Sequence, residues 1–213
     1  MSEDGKRSYR SDLRAAQAQR TRAQIVAAAA ELFAGNGYAA TTIDAIAAAA
    51  GVSRKTVFTS VGGKVELLKL AYDQAVAGDD EPMPLRERAV VKALEAEPDA
   101  ARMLAGFAAM VTGIQGRTAT LHVALAGAAE SEPEARVLLD HLEQQRLSAM
   151  RRPATLLRRL GALRDGLSVS TAADILWLHN DPLLYHRLVH QRQWTPAQFQ
   201  DWLTRALQTQ LLR

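Results

Sequence analysis

TTIDAIAAAAGVSRKTVFTSVGGK, residues 41–64, is the stretch on which the fold turns. Thr41 or Thr42 can cap a helix with its hydroxyl, and that helix, Ile43 to about Ala50, turns Ile43, Ile46 and Ala47 inward. Gly51 supplies the left-handed backbone that a sharp turn needs, Val52 reads as a buried plug, and Ser53 caps a second helix, Arg54 to about Thr59. Val57 of this helix points to the core, leaving Arg54, Lys55, Thr56 and Thr59 free to face outward, and Gly62-Gly63 breaks the chain. Two short helices joined by a glycine turn make a helix-turn-helix. The second helix must be propped by the first and must carry side chains that reach base edges and phosphates. Arginine can hydrogen-bond guanine bidentately, and threonine can offer a hydroxyl, or a methyl to thymine. An ordinary helical hairpin with a solvated Arg-Lys pair has the same spacing, so spacing alone leaves both readings open.

Upstream, Ile25, Ala28, Ala29, Leu32 and Phe33 recur at helical spacing and predict a helix over 13–35, stopped by Gly35-Asn36-Gly37. Downstream, a helix from near Lys64 carries Val65, Leu67, Leu68 and Tyr72 and ends at Gly78-Asp79-Asp80, before a junction at Glu81-Pro82-Met83-Pro84. Further helices are expected near 84–96, 99–115, 117–130, 133–160, 171–191 and 196–212. Breaks are expected at Pro98, Gly116, Glu132-Pro133 and the loop Gly161–Ser170, with cap signals at Ser170-Thr171 and Thr195-Pro196. No strand pattern competes. The expectation is an all-α chain: a basic tail over 1–12, a three-helix head over 13–63, a connecting helix over 64–80 and a helical body over 81–213.

Composition agrees with helices. Alanine is abundant and aromatics make up only 5% of 213 residues, and alanine costs no side-chain entropy in a helix. With no cysteine, disulfides and thiolate metal sites are excluded. The opening MSEDGKRSYRSDLR lacks the apolar core of a signal peptide, and no run approaches a membrane span, so a soluble, cytoplasmic protein is expected. Residues 1–64 hold nine Lys/Arg against five Asp/Glu, whereas the remainder holds 17 against 18. A basic head on a neutral body points to a polyanion at one end. Lys6, Arg7, Arg10 and Arg14 suit an arm that tracks phosphates or the minor groove, and equally a solubilising tail that touches no DNA.

Residues 21–72, TRAQIVAAAAELFAGNGYAATTIDAIAAAAGVSRKTVFTSVGGKVELLKLAY, resemble the N-terminal region of the TetR family of bacterial regulators. The resemblance rests on Ile25…Ala29…Leu32-Phe33…Gly37-Tyr38, the Thr41-Thr42 cap, Ile46-Ala47, Ala50-Gly51-Val52-Ser53, and Val57-Phe58…Val61…Lys64…Leu67-Leu68. It implies that the third helix reads the major groove, with Ser53 at its cap and Arg54, Lys55, Thr56 and Thr59 toward bases. Thr42, Phe58, Ser60 and Lys64 would then contact the DNA backbone. Phe58 stands where tyrosine is commonest in the family, which removes a phenolic hydrogen bond to phosphate. Val61 replaces a larger aromatic, a matter of packing. The resemblance further implies a homodimer on a palindromic operator. It also implies a repressor released by a small molecule, an activator or an effector-free regulator being the alternative.

The pairing surface is expected in the last two helices, where Ala172 to Trp177, Leu183 to Val189 and Trp194 to Leu211 carry long apolar stripes. The helices over 84–160 can enclose a pocket, with Met103, Phe107, Met110, Leu121, His122 and Trp177 as candidate lining; the same residues equally suit a core. For catalysis there is no G-x-S-x-G, phosphate-cradling loop or paired carboxylates, so no enzyme and no cofactor are expected. His179, His186 and His190 have spacings open to a metal, but Asp181-Pro182 should restart the helix between them, and no metal is expected. A sequence-independent DNA binder would need a broader positive field than a net charge of +3.

Overall fold

The structure, a computed structural model, describes the backbone of residues 3–78 and 85–213, and side chains from residue 13 onward. The basic side chains expected in the 1–12 tail and the junction at 81–84 therefore lie outside the described residues. The chain divides into two compact units, Met1–Asp73 and Gln74–Arg213.

The first unit is built by α1 (Glu3–Ala40), α2 (Ile43–Ala49), α3 (Arg54–Ser60) and most of α4 (Lys64–Ala77). Helix α1 begins ahead of the apolar pattern and is broken near its end by Gly37, whose φ of 77° and ψ of 172° are non-helical. Its buried face of Ile25, Val26, Ala29 and Phe33 shares the core of this unit with the buried Ile46, Val57, Leu67 and Leu68, all at or below 5% exposure. Tyr38 stacks on Phe33 with ring centroids 5.6 Å apart. Of the two candidate caps, Thr42 serves α2, its hydroxyl oxygen accepting from the Ala45 amide at 3.1 Å. Thr41 is buried instead and donates to the carbonyls of Gly37 and Leu32. Val52 is half-buried rather than a buried plug.

The second unit contains a 3-10 turn (Leu85–Glu87), α5 (Ala89–Ala96), α6 (Ala100–Ala128), α7 (Pro133–Arg159), α8 (Val169–His179), α9 (Pro182–Tyr185) and α10 (Pro196–Leu211). Its core joins Leu104 and Phe107 of α6, Ala154 and Leu157 of α7, Leu176 of α8 and Phe199, Leu203 and Leu207 of α10. Burial of this apolar surface is the main stabilising contribution, at about 25 cal/mol per Å².

Three expectations need correction here. Gly116 does not break a helix: α6 runs through it, since an interior glycine costs a helix only about 1 kcal/mol, and the missing side chain leaves room for Tyr185, its hydroxyl lying 3.3 Å from where a Cβ would sit. Helix α8 begins earlier than Ser170-Thr171, since Ser168 is the cap and accepts from the Thr171 amide at 3.0 Å. The expected helix over 171–191 is divided, with Asp181 capping α9, Pro182 in its first turn, and a π-helical turn over His186–Gln191. Proline lacks the amide that would continue α8. Thr195 and Gln198 form a reciprocal capping box at the start of α10. Among the described residues there are no strands, only an isolated bridge between Leu163 and Leu212, and no helix is long and apolar enough to cross a membrane.

Candidate nucleic-acid interface

Helix α3 is held from three sides. Val57, with no exposed surface, packs it into the head core beside the buried Ile46. At its start the Ser53 hydroxyl accepts from the Thr56 amide at 3.1 Å and bonds the Thr56 hydroxyl at 2.8 Å. At its end Arg22 of α1 donates to the carbonyl of Ser60, satisfying one of the acceptors every helix C-terminus leaves open. The turn before α3 passes through Gly51 at φ 66°. What remains outward is Arg54, Lys55, Phe58 and Thr59, all exposed, with Thr56 and Ser60 half-buried.

These side chains differ in what they still have to offer. The Thr59 hydroxyl donates back to the Lys55 carbonyl at 3.0 Å, so its methyl and lone pairs face out. The exposed Thr42 accepts from Ala45, which leaves its hydroxyl proton available to a phosphate oxygen. Lys64 places its ammonium 3.9 Å from the centroid of the Tyr38 ring, a cation–π seat that aims an otherwise floppy side chain. Phe58 is 45% exposed, a large apolar ring left in solvent. Lys55 is exposed on the same short helix.

Arg54 is less free than its position in the sequence implies. Its Nη1 donates to Asp44 Oδ2 at 2.7 Å, and its guanidinium lies 5.5 Å from the centroid of the Phe58 ring. With both partners more than half exposed, such a pair contributes only about 0–1 kcal/mol to stability; its consequence is orientation. Sequence reading missed both Asp44 and Arg22. Each lies far along the chain from its partner, ten residues for Asp44 and 38 for Arg22, and no helical period joins such positions.

The candidate pocket residues are divided. Met103 and Phe107 belong to the buried core, with Met110 and Trp177 packed against it. Leu121 and His122 are buried farther along α6. His122 is part of a polar group between helices: its Nε2 is 3.8 Å from Glu143 Oε1, and Glu143 pairs with Arg146. The Arg146 guanidinium stacks over the Trp177 ring at 4.8 Å and donates to the Trp177 carbonyl. Burial pushes the His122 imidazole below 6.5, outweighing the opposing pull of Glu143 and Asp181, and Arg146 adds to the lowering. On α6 as well, Gln115 donates to the carbonyl and side-chain oxygens of Asn180. Gln115 Oε1, Arg146 Nε and Trp177 Nε1 are buried without a protein partner among the described residues.

The three histidines are not gathered. His179 bonds the Ile175 carbonyl and Gln210, while His186 and His190 lie with ring centroids 5.4 Å apart. Burial, then His190, lowers the His186 pKa. Among the described residues no three His, Cys, Asp or Glu side chains are placed to hold a metal.

Residues 25–71 match the family described as bacterial regulatory proteins, tetR family. NalD of Pseudomonas aeruginosa, described as the secondary repressor of the MexAB-OprM multidrug efflux pump, shares 21% identity. It has a TM-score of 0.67, over 92% of this chain and 98% of that one. FadR of Bacillus subtilis, solved with stearoyl-CoA, shares 20% at TM-score 0.67, over 86% and 96% of the two chains. A protein from Saccharomonospora viridis solved with choline shares 18% at TM-score 0.69, over 92% and 99%. At these identities the likeness is one of fold. No curated protein matches the chain.

Proposed function

We propose that the chain, whose residues 25–71 match the tetR family of bacterial regulatory proteins, is a transcriptional regulator of that kind: a sequence-specific repressor that binds a palindromic operator as a homodimer and is released by a small molecule. The observation that carries the DNA reading is the face of α3: Arg54, Lys55, Phe58 and Thr59 stand exposed on a helix pinned from behind by Val57. Ser53 and Thr56 secure its start, and Thr42, Ser60 and Lys64 flank it as phosphate contacts. One such head reads too few base pairs for genomic specificity, so two must act together.

Pairing through the last helices is supported by Leu178 on α8, which is 55% exposed, and by the half-buried Ile175 and Trp202. Much of the remaining stripe, including Phe199, Leu203 and Leu207, closes the subunit's own core. The effector is assigned to the body, toward Met103, Phe107, Met110, Leu121, His122 and Trp177. The unpaired polar atoms of Gln115, Arg146 and Trp177 suit a ligand that carries both a hydrogen-bond donor and an acceptor. A ligand that prefers a conformation unable to engage both half-sites lowers operator affinity by its differential binding.

The test is a mobility shift on DNA flanking the protein's own gene, followed by a screen for compounds that release it. Preference over bulk DNA by orders of magnitude is expected; equal affinity for all duplexes would refute a sequence-specific regulator.

A further inference from the structure

We propose that Asp44 is a specificity-determining positioning residue: its carboxylate holds the Arg54 guanidinium ready for a base edge and withholds it from the phosphates of unrelated DNA. The inference rests on the DNA-reading role proposed for α3. Asp44 lies in the first turn of α2, and Arg54 opens α3. Their contact at 2.7 Å crosses from one helix to the other, and the Phe58 ring flanks the guanidinium at 5.5 Å. The Arg54 and Asp44 side chains are 58% and 67% exposed, so the contact is made on the surface that would face DNA, where it adds little to folding.

The chemistry separates two fates of one arginine. A guanidinium has five N–H donors in a planar fork. One is directed at Asp44, which leaves others for the paired acceptors of a guanine edge. A carboxylate and an aromatic ring together fix the plane of that fork before DNA arrives. Without the carboxylate, a long cationic side chain swings to the nearest phosphate, and phosphates are the same on every sequence. Asp44 also carries a negative charge toward the backbone, a cost that a good base contact offsets and an unrelated duplex does not. Negative charge on a reading surface thereby favours discrimination over affinity.

The experiment uses full-length protein and two duplexes: one enriched by the wild-type protein from a random-sequence pool, and a shuffled duplex of equal composition. Asp44→Asn keeps the size and removes the charge, with a thermal melt to establish that the head stays folded. Affinity for the shuffled duplex should rise roughly threefold or more, and its salt slope should steepen by about 0.9 as Arg54 becomes a phosphate contact. The preferred duplex should gain less, so the ratio between the two narrows. In an Arg54→Ala background the same Asp44 substitution should leave that ratio unchanged. Equal gains on both duplexes, or the same narrowing without Arg54, would make Asp44 a mere repulsive charge and overturn the proposal. Failure of the wild-type protein to enrich any sequence would instead strike the DNA-reading role of α3, a separate outcome.

Discussion

The hydroxyls around the reading helix and the buried polar side chains of the body are tied in different ways. Around α3 most hydroxyls are tied within three or four residues: Thr42 to Ala45, Ser53 to Thr56, Thr59 to Lys55. In the body, beside local caps such as Ser168–Thr171 and Thr195–Gln198, buried polar contacts also join distant segments, with Gln115 meeting Asn180 across 65 residues and Arg146 meeting Trp177 across 31. Local ties leave a short helix rigid and its outer face open, as a surface that docks onto another molecule requires. Long-range ties bury charge and hydrogen-bonding capacity, so the body depends on neighbours supplied by the tertiary fold. Substitutions should therefore fail differently in the two regions.

The largest effect belongs to the body core. Phe199→Ala should cost about 3–5 kcal/mol, seen as a lowered midpoint in thermal or urea unfolding; a loss below about 1 kcal/mol would mean that α10 is not seated as described. The head should instead lose recognition with little loss of fold. Arg54→Ala is expected to cost ~1–3 kcal/mol at one base position, measured by binding to single-base operator variants. Lys64→Ala should weaken all sequences alike and lower the salt slope by about one. A uniform loss from Arg54→Ala would erase that distinction.

Smaller effects sharpen the contrast further. Thr42→Ala removes the cap of α2 and should cost about 1 kcal/mol of stability, measured by denaturant titration. In the body, burial holds the His122 pKa below 6.5, so between 6.5 and its folded value the unfolded chain binds more protons. Stability should be full above pH 6.5 and fall as pH drops below it. His122→Gln should flatten that part of the stability–pH curve, and an unchanged curve would contradict the burial of a neutral imidazole.

The same division decided what could be read from the sequence. The glycine turn, the Ser53 cap and the inward Val57 are local, so α2 and α3 were legible to within a residue or two. The body's helices were legible as periods, but Gly116 looked like a break because the Tyr185 packed against it lies 69 positions away. The α8 cap was misplaced for a related reason: Ser168 and Ser170 are chemically alike, and only the path of the loop selects between them. On the reading face itself, the exposed residues of α3 were legible while Asp44 was not. Its role arises from two helices meeting at the turn.

Methylation interference on the enriched duplex tests the central claim most directly, since dimethyl sulfate marks guanine N7 in the major groove and adenine N3 in the minor groove. A helix presenting Arg54 to base edges, twice per assembly, should make N7 methylation block binding in two patches, with equivalent positions about 10 base pairs, or a multiple of that, apart. Interference confined to minor-groove positions, or none at all, would contradict it.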